Sequence, residues 1–91
     1  MGMKAERVED TTALGQQIRR ARKEQGLTQQ ELADAAGVGV RFLSELERGK
    51  ESAEVGLVLK VLHCVGYNVI LEPRSLRYTR LFAFPDQSEE R

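Results

Sequence analysis

The chain is poor in what most catalytic and secreted proteins require. A single cysteine, Cys64, excludes an intrachain disulfide, and a single histidine, His63, leaves no Cys/His set at metal-ligand spacing. Both are expected to be packing or surface residues, and neither a metal nor a cofactor is expected. No nucleophile–base arrangement, catalytic carboxylate pair or phosphate-cradling loop stands out, so an enzyme is not expected. No apolar run approaches the ~20 residues of a membrane span. The opening MGMKAERVED has no hydrophobic signal segment, and Gly2 lacks the Ser or Thr that follows a myristoylated glycine. A cytoplasmic protein is the resulting expectation. Net charge is zero, with 14 basic and 14 acidic side chains. Bulk attraction for a polyanion is therefore weak, and any specificity must come from placed contacts.

The most legible stretch is Leu27 to Lys50, LTQQELADAAGVGVRFLSELERGK. Thr28 is a good helix N-cap, and Glu31 three residues on completes a capping box. Leu32, Ala33 and Ala36 follow at helical spacing. Gly37 stands where a left-handed residue ends a helix. Val38 is then a single apolar plug in the turn, and Gly39 or Val40 starts the next helix. Leu43 and Leu46 point inward, and Gly49 ends that helix. Ala33 has to be small because the two helices cross beside it. Two short helices joined by a tight Gly-containing turn fit a helix-turn-helix, and they also fit an ordinary hairpin in a small bundle.

The combination LTQQELADAAGV…LSELERGK resembles the Xre-type helix-turn-helix family, the lambda-repressor and Cro-like class, over about residues 13 to 66. The extension RFLSELERGKESAEVGLVLKVLHCVGYNVIL resembles the HipB-type antitoxin branch, whose domain ends in a β-strand. The resemblance implies a mainly α fold: a four- to five-helix DNA-binding domain with one C-terminal strand pairing across a homodimer. It implies double-stranded DNA as a partner, and a HipA-like kinase toxin as a second one.

Taken in order, residues 1–10 are expected to form a flexible arm. The domain follows over 11–73, and residues 74–91 form a tail. Thr11 or Thr12 can cap a first helix in which Leu14, Ile18 and Ala21 face the core and Arg19, Arg20, Arg22 and Lys23 spread over the surface. A charged face is usually only solvated, but the resemblance puts this helix near the DNA backbone, where Arg19 can reach a phosphate. Residues 12–50 carry seven basic and five acidic side chains, a local surplus of two.

By resemblance, Gln29 touches the DNA backbone and braces a side chain of the recognition helix. With Leu43 and Leu46 committed to the core, Gly39, Val40, Arg41 and Ser44 remain for the groove. Arg41 can fork to O6 and N7 of a guanine, Val40 can meet a thymine methyl, and Arg48 and Lys50 can clamp the backbone. The rival assignment pairs Arg41 with Glu45, four residues on. Glu47 is expected to be structural, accepting local hydrogen bonds at the helix end.

Ser52 or Glu54 is expected to begin a further, nearly all-apolar helix, VGLVLKVLHCV. Val55, Val58, Leu62 and Val65 form one stripe, and Leu57 with Val61 forms a second. A helix apolar on two sides has to be buried on two sides, so Leu57 and Val61 are expected at a subunit interface. YNVILE, from Tyr67 to Glu72 and stopped by Pro73, favours a strand. A lone strand leaves its backbone unpaired, so Tyr67, Val69, Ile70 and Leu71 are expected to pair with a second copy. A two-fold dimer then implies an inverted-repeat operator. In the tail, LFAF between charged flanks suggests folding back or docking a protein partner. The expected function is a repressor and antitoxin. A stand-alone Xre-type regulator, or an adaptor dimer that binds no DNA, is the alternative.

Overall fold

The structure is a computed structural model and describes residues 5–74. Four helices follow one another: α1 (Thr11–Glu24), α2 (Gln29–Ala36), α3 (Val40–Glu47) and α4 (Val55–Cys64). α1 packs against α3, and α2 packs against both α3 and α4.

The helix ends follow from local chemistry. Thr28 Oγ1 accepts from the Glu31 amide at 3.0 Å, and Glu31 Oε1 accepts from the Thr28 amide at 2.9 Å. This is the expected capping box, worth about 1 kcal/mol. Gly37 ends α2 at φ 74°, ψ 35°, and the Val38 amide bonds back to the Ala33 carbonyl at 3.0 Å. α1 starts differently from the expectation. Asp10, not Thr11 or Thr12, is its N-cap, with Oδ1 accepting from the Ala13 amide at 2.8 Å. Thr11 Oγ1 donates instead to the Gly49 carbonyl at 2.8 Å, tying the start of α1 to the end of α3. Glu54 is the N-cap of α4, without a side-chain bond.

Ile18, Leu32, Leu43, Leu46, Val61 and Val65 are the largest fully buried side chains, each worth roughly 1.5–3 kcal/mol of transfer free energy. Ala33 is buried where α2 meets α3, and Val38 and Phe42 pack against the same core. Each of the four helices is followed by a glycine at positive φ (Gly26, Gly37, Gly49 and Gly66), but Gly15 is a packing residue. A Cβ there would lie 2.4 Å from the Leu46 carbonyl oxygen and 2.7 Å from that of Glu47. α1 can therefore cross the end of α3 only with a hydrogen at position 15.

One expectation needs correction, and another is not met within a single chain. Val61 is fully buried in the chain's own core, and Leu57 is half-buried. The inward stripe of α4 is Val58, Val61, Leu62 and Val65, at i, i+3, i+4 and i+7. It takes in Val61 but not Leu57, while Val55 at the helix start is 69% exposed. The expected strand at 67–72 is also absent among the described residues, since a single chain offers that segment no ladder partner. Tyr67 is half-buried against the core, and its hydroxyl contacts Gln17 Oε1 at 3.4 Å. The residues after it are open: Val69 is exposed, and Ile70 and Leu71 nearly fully so. The tail and its LFAF segment lie outside the described residues.

Candidate nucleic-acid interface

α3 presents two faces. Leu43, Leu46 and Glu47 point inward and are buried. Arg41, Ser44, Glu45 and Arg48 recur at i, i+3, i+4 and i+7 and form the outward stripe. The Arg41 side chain is 90% exposed. Gly39 caps the helix N-terminus, and Val40 beside it is partly exposed.

Inward of this stripe lies a buried ion pair that joins α1 to α3. Arg22 Nε meets Glu47 Oε2 at 2.7 Å, and Arg22 Nη2 meets Glu47 Oε1 at 3.0 Å. Arg22 Nη1 also donates to the Leu27 carbonyl at 2.8 Å. Glu47 Oε1 takes a further bond from Gln29 Nε2 at 3.0 Å. Gln29 at the start of α2 thus braces α3 through Glu47. Burial alone would push the Glu47 carboxyl up. The bonds from Arg22 and Gln29, with the charges of Arg22 and Arg19, outweigh it and hold the carboxyl below its ordinary value.

This pair corrects two expectations. Arg22 is buried, not spread on the surface, and Glu47 accepts bonds from two other helices' ends, not from its own. A signal was available. Arg22 sits four residues after Ile18, and Glu47 four after Leu43, so each charge falls on an inward stripe. Two opposite charges on inward stripes have to find each other.

Because the folded value is lowered, the pair's stabilisation is fully present above about pH 4.5, the ordinary carboxyl value. It is lost as pH falls through the lowered one. Urea denaturation of wild type and Glu47→Gln is expected to differ clearly at pH 7, with the difference shrinking below pH ~4. A difference that stays constant down to pH 3 would rule out an ionised Glu47 as the origin of the effect.

Arg19, Lys23, Thr28, Gln29, Ser44 and Arg48 line a cleft over this pair, between α1, the start of α2 and α3. Four residues singled out from sequence, Arg19, Gln29, Ser44 and Arg48, are thus gathered at one place. Free amides at the start of α2 favour an anion there. Lys50 lies apart from that cleft, with Nζ 3.0 Å from Glu45 Oε1. Glu45 Oε2 is 3.4 Å from Arg41 Nε. The Lys50 ammonium first, and Arg41 less, hold the Glu45 carboxyl below its ordinary value. The rival pairing of Arg41 with Glu45 is therefore present, but it is long and leaves the guanidinium open to solvent. Among the described residues no group of His, Cys, Asp and Glu is placed to hold a metal ion, and no helix is long and apolar enough to cross a membrane.

A capped helix, a three-residue turn and a second helix with one polar outward face define a helix-turn-helix DNA-binding domain. Residues 18–69 match the helix-turn-helix family, and the chain belongs to it. It is 46% identical over 74 residues to the "Uncharacterized HTH-type transcriptional regulator y4mF" of Sinorhizobium fredii, covering 80% of this chain and 97% of that one. A second protein of that organism, the "Uncharacterized HTH-type transcriptional regulator y4dL", is 30% identical over 66 residues. The match covers 72% of this chain but only 34% of that relative.

Proposed function

We propose that the protein is a sequence-specific, dimeric transcriptional repressor that inserts α3 into the major groove. The observation that carries this reading is the outward face of α3. Arg41 stands there exposed, on a helix locked from behind by Arg22, Glu47 and Gln29. Gly39 and Val40 open the helix beside it, and Ser44 follows one turn on. Arg19, Gln29, Arg48 and Lys50 flank it as phosphate contacts. Arg41→Ala is expected to weaken operator binding roughly 5- to 150-fold, the ~1–3 kcal/mol of a bidentate guanine contact, with little effect on random DNA. Fluorescence anisotropy with both duplexes measures it, and an equal loss on both would move Arg41 from a base to a phosphate.

Dimerisation is supported by the apolar surface left open in one chain: Leu59 on α4, then Val69, Ile70 and Leu71. Leu59, Val69 and Ile70 line one mainly apolar hollow together with Val55, and an exposed apolar surface of this kind marks an interface. Strand pairing of residues 67–72 between two copies covers it and satisfies their backbone groups. Analytical ultracentrifugation is expected to give a dimer for the wild type and a monomer for Ile70→Asp. A wild-type monomer at tens of micromolar would refute the pairing.

Within this reading, the protein acts as the antitoxin of a HipA-type pair, repressing its own operon and neutralising a kinase toxin. The resemblance of the segment from Arg41 to Leu71 supports that role. A stand-alone regulator is the alternative, and the name of the 46% identical relative, an HTH-type transcriptional regulator, fits either role. Co-expression with a neighbouring kinase-like reading frame separates the two: relief of growth arrest and co-purification support the antitoxin, and their absence supports the stand-alone regulator.

A further inference from the structure

The outward stripe of α3 contains one acid. Glu45 lies between Arg41 and Arg48 on that face, and its side chain is 26% exposed. Such a carboxylate is costly near DNA, because phosphates repel it and closing the interface strips its water. Unless it meets a donor, it weakens binding at every site.

Two features make Glu45 more than a cost. Arg41 Nε at 3.4 Å and Lys50 Nζ at 3.0 Å flank its two oxygens, one on each. The cations offset its charge and hold the carboxylate on the reading face. The major groove also offers few donors: the N4 amino group of cytosine and the N6 amino group of adenine. Adenine carries the N7 acceptor on the same edge, which repels a second carboxylate oxygen. Cytosine presents its amino group without an acceptor of its own.

We propose that Glu45 is a specificity-determining residue whose carboxylate accepts a hydrogen bond from the N4 amino group of a cytosine. The inference rests on α3 entering the major groove. Four residues of helix rise about 6 Å, and base pairs stack ~3.4 Å apart. Arg41 and Glu45 therefore address different base pairs, one or two steps from each other. Arg41 takes a guanine and Glu45 a cytosine, so the half-site contains two strongly fixed G·C pairs. The acid also lowers affinity for all other sequences, which the two cations alone would favour.

The test is selection from a random duplex library, sequenced after binding to the wild type, Glu45→Ala, Glu45→Gln and Arg41→Ala. Circular dichroism melting checks that each variant is folded, as expected for surface changes. The wild type is expected to prefer cytosine about tenfold at one position. Glu45→Ala should erase that preference, keep the others, and bind random duplex more tightly. Glu45→Gln should turn it toward adenine, which a side-chain amide matches on both N6 and N7. Arg41→Ala should erase a guanine preference at another position. If Glu45→Ala keeps every base preference and only gains affinity uniformly, the proposal is overturned and Glu45 acts by charge alone. If the wild type enriches no sequence, the DNA reading itself fails and this inference with it.

Discussion

Arg22→Ala is expected to lower the unfolding free energy by about 3–5 kcal/mol at pH 7. Glu47 has only 3% of its side chain exposed. Without the guanidinium it keeps a single bond from Gln29 and stays charged in a poorly solvated place. The Leu27 carbonyl loses its donor as well. Small domains have ~5–15 kcal/mol in total, so this variant is expected to be partly unfolded at 37 °C. Arg22→Lys should recover only part of the loss, because an ammonium cannot reproduce the two-pronged contact. Replacing both partners, Arg22→Met with Glu47→Leu, should cost far less than either single change, since no charge is then stranded. That double variant would lose the brace on Gln29 and should bind DNA less well than its stability suggests. Urea denaturation of the wild type, the single variants Arg22→Ala, Arg22→Lys, Arg22→Met and Glu47→Leu, and the double variant measures the series. A loss below 1 kcal/mol for Arg22→Ala would show that the pair is solvated and does not fasten α1 to α3.

Gly15→Ala is expected to destabilise by about 3 kcal/mol, against the ordinary preference of helices for alanine. The added methyl meets backbone oxygens of Leu46 and Glu47, which cannot rotate away. α1 must shift, and the shift pulls Arg22 off Glu47. Gly56→Ala on α4 is the internal control. Nothing lies within 4 Å of its Cβ position, and the gain should be roughly 0.5–1 kcal/mol. Opposite signs in thermal melts, with the Gly15 variant several degrees lower and the Gly56 variant higher, are the expected result. A stabilised Gly15→Ala would mean that α1 and α3 do not approach this closely.

What could be read in advance depended on whether the signal was local. The capping box at Thr28 and Glu31, the left-handed Gly37 and the inward pair Leu43 and Leu46 are set within one or two turns, and the structure has them where the spacing puts them. Pairings across the chain were harder. Arg22 and Glu47 are 25 residues apart, and each looks like one more surface charge until its helical phase is followed. Gly15 resembles a weak point in a helix because its reason for being glycine lies on α3. The apolar richness of α4 misled in the other direction. Val61 shares a stripe with Val58, Leu62 and Val65, so one core buries all four, and the exposed apolar surface lies at Val55 and Leu59 on the other side of α4 and further on at Val69, Ile70 and Leu71. Among the candidate DNA contacts, placement on the face of α3 was legible from phase alone. The grouping of Arg19, Gln29, Ser44 and Arg48 required the crossing of three elements.

The central claim is that α3 reads a two-fold operator, and the salt dependence of binding tests it most directly. DNA from the region upstream of the gene should be titrated by fluorescence anisotropy from 50 to 200 mM salt, beside a random duplex of equal length. The predicted result is tight binding to an inverted repeat whose half-sites lie one helical turn apart, ~34–36 Å, or a multiple of it. Affinity should fall steeply with salt, as expected for several phosphate contacts per dimer, and exceed that for random DNA by about a thousandfold or more. Equal affinity for both duplexes, or binding indifferent to salt, would contradict the account and turn attention to Leu59, Ile70 and Leu71 as a surface for protein partners.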